Sequence, residues 1–404
     1  MKDSLKVLLV THNYPRFPGD YAGVFLGLLA RRLLDCDIQP IVLAPHHEGA
    51  AEYEENSGVK IYRFRYADDV KDQDLAYHGA MQTVVMGSIK GALKFRRFLN
   101  SFEKSAKAIL KQEKIDVIAG QWLFPAGVIM KRLERRFNGP MILSSHGTDV
   151  RIMGKLHGIP FRYLRGMCRR LCRWTVVSSW MRNQVLLHDP SLDERVEVLP
   201  LPHDDTLFYP DETVKRDPLR VVSVTRYTEQ KRVVHLVKAF AEVTTKLPKA
   251  QLDIYGTGPM KADVEREIAA HGLMSNVRLL EPVAQEELRR VYSEAAVSVL
   301  NSYREGFGLA LSEAMLCGAA AVGTRSGGII DIIEHQKRGL LVEVDSVSGL
   351  SNALVSLLTD ADYRSRISQA GLEYASKTFA AGPLAARYAD ILRSCHANYR
   401  SSKG

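Results

Sequence analysis

The chain has 404 residues, of which 46% are hydrophobic and 25% charged. That length exceeds one ordinary core and suits two domains of about 200 residues, with a composition normal for a soluble globular protein. The formal charge of +9 is confined to one half: residues 1–200 hold 30 Lys and Arg against 21 Asp and Glu, while the rest holds 25 of each. An anionic partner is therefore expected for the first half only, and nucleic acid is not expected, because no recognised binding module accompanies the charge.

The opening, MKDSLKVLLVTHNYP, has too short an apolar run for a secretory leader, and no stretch reaches the ~18 apolar residues of a membrane span. Five scattered cysteines (Cys36, Cys168, Cys172, Cys317 and Cys395) fit a reducing cytosol. Cys168 and Cys172 have helical spacing, but no second Cys/His pair completes a zinc site, so no metal is expected. The expected location is the cytoplasm, with a peripheral position on the inner face of the membrane as an option.

Residues 4–17, SLKVLLVTHNYPRF, begin with an apolar run that stops at a polar loop, as a fully buried parallel strand does. Further strands are expected at PIVLAP, VKIYRF, DVIAGQ and MILSSH, with helices around 22–35, 86–113, 126–137 and 178–187. Two basic segments stand out. Residues 90–114 set Leu93, Phe98, Phe102, Ala106 and Leu110 among lysines and arginines; residues 161–174 interleave Arg162, Arg165, Arg169, Arg170 and Arg173 with Phe161, Tyr163, Leu164 and Trp174. They read either as packed helices with solvated basic faces or as a surface that docks on anionic lipid.

Pro200, Pro202, Pro210 and Pro218 crowd LPLPHDDTLFYPDETVKRDP, where neither helix nor strand persists, and the linker is placed there. Residues 218–231, PLRVVSVTRYTEQK, then repeat the opening strand-and-loop pattern. Strands follow at VVSVT, QLDIYG, VRLLE, VSVLN, AAAVGT and GLLVE, with helices at 233–246, 260–271, 285–295, 310–317, 327–334 and 346–359. Repeated strand–helix alternation predicts an α/β protein of two doubly wound, Rossmann-like domains facing a central cleft. The boundaries are 1–200, 201–375, and a C-terminal helix at 376–404 that crosses back to the first domain.

A ligand carrying a diphosphate needs cations and backbone N–H groups. No Walker-type loop occurs, and Gly256-Thr257-Gly258 lacks the third glycine of a dinucleotide fingerprint, so a plain tight turn explains it as well as a ligand does. Arg226 and Lys231 flank the polar turn after the first strand of the second domain and are placed to converge on one diphosphate. Taken by themselves they also read as two solvated surface charges. The stretch YREGFGLALSEAMLCG (303–318) weighs against that alternative. Gly306 and Gly308 let backbone approach a ligand, and a helix starting near Leu309 offers the N–H groups of Gly308, Leu309 and Ala310. Glu305 and Glu313, eight apart, bracket that helix start: Glu305 for sugar hydroxyls, Glu313 for ribose hydroxyls. The helix dipole accounts for Glu313 without a ligand, but not for Glu305 and the glycines together.

At these residues the chain closely resembles the family 4 retaining glycosyltransferases of the GT-B fold, whose signature is the Glu-x7-Glu pair, here Glu305 to Glu313. The resemblance extends through Gly327-Gly328, Gly339-Leu340-Leu341-Val342, Arg226 and Lys231. In the first half it takes in Tyr14–Gly19 with Gly23, Trp122 to Gly127, and Ser145-His146-Gly147-Thr148-Asp149. It implies a donor domain at 201–375 and an acceptor domain at 1–200. Glu305 and the backbone after Phe307 would hold the donor sugar, Arg226 and Lys231 the leaving diphosphate, Glu313 the ribose, with Gly256 in the donor site. His146 would reach the sugar near the reacting carbon, and the Gly19–Gly23 loop would close over the phosphates. Asp149 and Trp122 are the acceptor-side candidates. The implied reaction moves a hexose-type sugar, with retention and without a metal or other cofactor, from a nucleoside-diphosphate sugar (UDP- favoured over GDP-) to a glycan or lipid-linked acceptor in envelope or polysaccharide synthesis. Departures from the pattern are Thr225, Arg232 and Glu281, where glycine is usual, and Leu201-Pro202-His203-Asp204 at the hinge. The residues also allow a sugar-nucleotide epimerase or glycan phosphorylase on the same scaffold, or a non-catalytic sugar-nucleotide- or membrane-binding protein.

Overall fold

The computed structural model describes residues 4–20, 22–77, 81–153 and 158–403. The chain forms two compact units: Met1–Val177 with Met181–Pro202 and Ala381–Gly404, and Ser178–Trp180 with His203–Ala380.

In the first unit the elements run β1 (Leu5–Val10), α1 (Val24–Leu34), β2 (Ile38–Pro45), β3 (Tyr53–Asn56), β4 (Val59–Phe64), α2 (Met81–Gly87), α3 (Ile89–Gln112), β5 (Val117–Gln121), α4 (Gly127–Leu133), β6 (Met141–Ser145), α5 (Thr148–Met153), α6 (Ile159–Cys168), β7 (Arg173–Val176), α7 (Ser179–His188) and β8 (Val196–Val198). The sheet order is β3-β4-β2-β1-β5-β6-β7-β8, parallel except for the β3–β4 edge pair. Val7 to Val10 are wholly buried because both faces of the sheet are covered. Val7 and Leu9 pack with Leu26 and Leu33 of α1.

The second unit contains β9 (Asp217–Val224), α8 (Val233–Lys246), β10 (Gln251–Tyr255), α9 (Lys261–Ala270), β11 (Val277–Leu280), α10 (Gln285–Glu294), β12 (Ala295–Leu300), α11 (Leu309–Leu316), β13 (Ala320–Thr324), α12 (Ile329–Ile332), β14 (Leu340–Val342), α13 (Val347–Thr359) and α14 (Ala361–Thr378). Its sheet, β11-β10-β9-β12-β13-β14, is parallel throughout. The final helix, α15 (Ala381–Ser401), belongs to the first unit, where Leu384, Tyr388 and Leu392 join the core beside α1.

In each sheet the chain reverses its direction of winding at one place: between β1 and β5, and between β9 and β12. Loops leaving the carboxyl ends of those adjacent strands splay apart, and ligands of doubly wound sheets bind there. The candidate residues therefore have a topological address in each unit.

Several expectations are corrected. The segment 161–174 is not one amphipathic helix: α6 ends at Cys168, and Trp174 lies wholly buried in β7. Leu93 is exposed rather than part of the apolar face of α3, whereas Phe98, Phe102 and Ala106 are buried. The cysteines are not all reduced, because Cys172 and Cys395, 223 positions apart, form a disulfide with their Cα atoms 5.7 Å apart. Strands β3, β7 and β8 and helix α14 lie outside the expected elements. Among the described residues no helix is long and apolar enough to cross a membrane.

Candidate functional site

In the second unit, the loops after β9 and β12 are tied together by backbone: Tyr303 N–H donates to Gln230 O at 2.8 Å. Asn301 Nδ2 adds a bond to Arg232 O at 3.3 Å. This brings Lys231 against Glu305, whose Oε2 accepts from the Lys231 ammonium. The other carboxylate oxygen accepts the Gly306 N–H at 3.2 Å. The pair is largely shielded, with side-chain exposures of 18% and 14%. Arg226 stands exposed at the end of β9. Arg232, in the left-handed region at φ 52°, caps α8 and pairs with Asp345 at 2.5 Å. Glu281 is exposed and pairs with Lys261 at 3.3 Å.

Glycines set the backbone of these loops. Gly308, at φ 120°, begins α11, and a Schellman turn ends the helix: Ala319 N–H bonds Ala314 O at 3.0 Å and Gly318, at φ 78°, bonds Met315 O at 3.0 Å. The N–H groups of Leu309 and Ala310 precede the first intrahelical bonds and project from the helix N-terminus. Behind them, Gly328 N–H donates to Glu305 O at 2.8 Å. A Cβ on Gly327 would lie 2.1 Å from that same carbonyl oxygen, so no other residue permits this approach. A Cβ on Gly256 would lie 1.9 Å from Thr225 O, which shows that this glycine lets the β9 and β10 loops meet. Phe307 points inward, against His203 and Phe379, and supports the loop from below.

Glu313 lies one turn into α11 and is 8% exposed. Its Oε2 is 3.3 Å from Tyr292 Oη of α10. Burial pushes its carboxyl up to about 8, and the Tyr292 hydroxyl opposes that rise.

In the first unit His146 follows β6 directly. Its ring packs on Trp122 (centroids 4.5 Å apart) and Phe25 (4.9 Å), and Trp122 also meets His12 at 4.8 Å. Nε2 is 2.9 Å from Gln121 Oε1. Nδ1 is shut off from solvent and has no hydrogen-bond partner among the described residues. Burial, helped by neighbouring His12, drives the imidazole down to about 3. Asp149 is 1% exposed, and its carboxylate accepts N–H bonds from Leu123 (2.8 Å), Gly147 (3.1 Å) and His146 (3.3 Å). It joins the loops after β5 and β6. Gly19 and Gly23 have φ of 80° and 63°. Residue 21, between them, lies outside the described residues. A Cβ on Gly23 would lie 2.7 Å from Asn13 O, so the start of α1 is pressed against the loop after β1.

Two family models divide the chain between them. The model for glycosyltransferase family 4 matches residues 22–207, and that for glycosyl transferases group 1 matches residues 206–374. The chain is a family 4, group 1 glycosyltransferase. Among its relatives, the GDP-mannose-dependent alpha-(1-6)-phosphatidylinositol monomannoside mannosyltransferase of Mycobacterium tuberculosis is 24% identical over 409 residues, covering 96% of this chain and 98% of that protein. Among solved structures, sucrose-phosphate synthase from Thermosynechococcus elongatus superposes with a TM-score of 0.79 at 19% identity, covering 98% of this chain and 100% of that one. The Anabaena protein HepE, solved with UDP-glucose, gives 0.72 at 17% identity, covering 96% and 100%. The fold of this glycosyltransferase is thus GT-B.

Within the transferase, sequence reading missed Tyr292, Gln121 and Tyr388. Each is buried and polar: Tyr292 is brought to Glu313 and Gln121 to His146, and Tyr388 reaches Gln121 from a distant part of the chain. No local spacing announces such a partner. Gly327 and Gly328 were legible only as part of the family pattern; their geometric work is to seat Glu305.

Proposed function

We propose that this glycosyltransferase moves a hexose-type sugar from a nucleoside-diphosphate sugar to a glycan or lipid-linked acceptor, with retention of configuration and without a metal or other resident cofactor. The observation that carries the reading is the Lys231–Glu305 contact at the β9/β12 reversal, beside the N-terminus of α11. A diphosphate arriving there competes with Glu305 for Lys231. Once Lys231 turns to phosphate, Glu305 accepts from sugar hydroxyls. Arg226 and the Leu309 and Ala310 N–H groups add positive potential where charge builds on the leaving diphosphate. Glu313 accepts from the ribose, His146 meets the reacting sugar, and the leaving phosphate takes the acceptor's proton in a front-face attack. Asp149 and Trp122 serve the acceptor side by shaping the loops after β5 and β6.

UDP is favoured over GDP as the carrier, in keeping with HepE, which was solved with UDP-glucose. The mycobacterial relative is named for GDP-mannose, so the base must be tested. A thermal-shift screen against UDP-, GDP- and ADP-sugars is expected to raise the melting temperature for the true donor, because a ligand bound only by the folded state must stabilise it. Anomeric analysis of the product by NMR then reads retention directly. No shift with any sugar nucleotide, or an inverted product, would contradict the reading.

A second observation supports a peripheral membrane position. Along α3, Lys90, Arg96, Arg97 and Lys104 are exposed beside Ile89 and Leu93, which are 83% and 55% exposed. The second basic segment contributes less: Arg165 and Arg169 pair with Asp189, and Arg170 with Glu134. Binding to anionic liposomes at low salt and release at high salt is expected, with Leu93→Asp weakening it. Sedimentation that ignores salt and Leu93→Asp alike would remove α3 from the account.

A further inference from the structure

The surroundings of His146 contain a hydrogen-bond chain that the mechanism above does not use. β5 ends at Gln121, which is wholly buried, and its amide has both ends fixed. Nε2 donates to Tyr388 Oη at 3.2 Å, and Oε1 lies 2.9 Å from His146 Nε2. Tyr388 comes from α15, more than 240 positions away in sequence, and its hydroxyl also lies 3.2 Å from Ser144 Oγ. Ser144 Oγ in turn accepts from Thr175 Oγ1 at 2.8 Å. With the amide oriented as it stands, Nε2 donating to Tyr388 Oη, the Gln121 oxygen faces His146 and can only accept, which places the imidazole hydrogen on Nε2.

We propose that Gln121 and Tyr388 are positioning residues for sugar transfer: they fix His146 as a neutral imidazole with its hydrogen on Nε2, held in one ring orientation at the end of β6. The proposal rests on the reading that His146 meets the reacting sugar. Trp122 and Phe25 hold the ring plane, and the amide holds its rotation. The titratable groups around the ring are His12 after β1, Asp149 in α5, and Tyr388 behind Gln121. Asp149 is engaged with three backbone N–H groups, and burial drives His12 down to about 4. Among the described residues no anion is aimed at the ring to stabilise an imidazolium. His146 therefore stays neutral at physiological pH and too weakly basic to take the acceptor's proton, which leaves that proton to the departing phosphate.

The test combines NMR with kinetics. In protein labelled with ¹⁵N-histidine, with His146 assigned by its loss in His146→Asn, the ring is expected to show the Nε2–H tautomer and no titration between about pH 5 and 8. Gln121→Glu keeps the shape but places an anion on Nε2. His146 should then titrate within that range, and the transfer rate should fall on the acid side of the new pKa, a limb the wild type lacks. Tyr388→Phe, which removes one oxygen, should lower kcat by roughly 3- to 10-fold with donor KM little changed, and serves if Gln121→Glu fails to fold. An Nδ1–H tautomer, a wild-type ring that titrates near neutrality, or wild-type rates and pH profiles in both variants would overturn the proposal. Failure of the underlying reading looks different: His146→Ala would then transfer sugar as fast as the wild type, whatever the tautomer.

Discussion

The two candidate sites, one in each unit, are built on opposite physical plans. In the second unit the loops after β9 and β12 carry opposite charges at short range, Lys231 against Glu305, on a backbone that only glycine permits. In the first unit the loops after β5 and β6 carry neutral rings, Trp122 and His146, with Phe25 of α1 packed on His146, over a buried polar network in which Asp149 supplies the carboxylate. The charged site suits a diphosphate, whose binding and departure are matters of electrostatics. The neutral site suits a sugar ring, where apolar faces and oriented dipoles discriminate without attracting phosphate. The lesson is that the net charge of each half misleads: the +9 lies in the half whose candidate site is neutral, and the charged candidate site lies in the half with none.

The largest effect should come from the charged side. Lys231→Ala removes the cation that pairs with Glu305 and is proposed to hold the diphosphate, and a loss of at least ~100-fold in turnover is expected, as for Glu305→Ala. Turnover within a few fold of wild type in both would break the comparison at its stronger end. Gly327→Ala should follow, because its Cβ cannot coexist with the Glu305 carbonyl 2.1 Å away. A loss of roughly 10-fold or more in activity, with a lower melting temperature, is expected. Gly382→Ala in α15 is the control, since no atom lies within 4 Å of the added Cβ and the exchange should be neutral or slightly stabilising.

On the neutral side, Asp149→Asn keeps the shape but leaves one N–H of the joined loops without an acceptor. A stability loss of about 1–3 kcal/mol is expected by denaturant titration. The smallest effect concerns Glu313. Its folded carboxyl is raised from the usual range to about 8, so the folded state binds this proton more tightly than the unfolded chain does. Stability from this group is full below pH ~4.5 and is lost as pH rises through about 8. Glu313→Gln should therefore stabilise the protein at pH 9 relative to pH 6, compared with wild type by thermal melts. An equal effect at both pH values would show that Glu313 is not held in its protonated form.

The sequence made the strand-and-helix succession of both units readable, because parallel strands covered on both faces are continuous apolar runs. The pattern of residues 233–246 predicts that helix to the residue. What escaped lacked that pattern. Strand β3 is YEEN, an exposed edge whose burial alternates too weakly to register. Arginines at helical spacing before Trp174 predict a helix there, but cross-sheet packing decides for strand. In the site, Glu305, Lys231 and His146 were legible since they lie in loops after strong strands. Tyr292 beside Glu313, Gln121 beside His146 and Tyr388 behind Gln121 are not legible, because tertiary folding alone brings them there.

Calorimetric titration of the free nucleotide and its sugar conjugate, UDP and UDP-glucose or the pair the donor screen selects, tests the central claim most directly. Lys231→Ala should weaken both ligands by a similar factor. Glu305→Ala should leave the bare nucleotide bound at least as well as in the wild type, since Lys231 loses a competitor, while erasing any advantage of the conjugate. Wild-type affinity for both ligands in both variants would mean that the diphosphate does not bind at the β9/β12 loops.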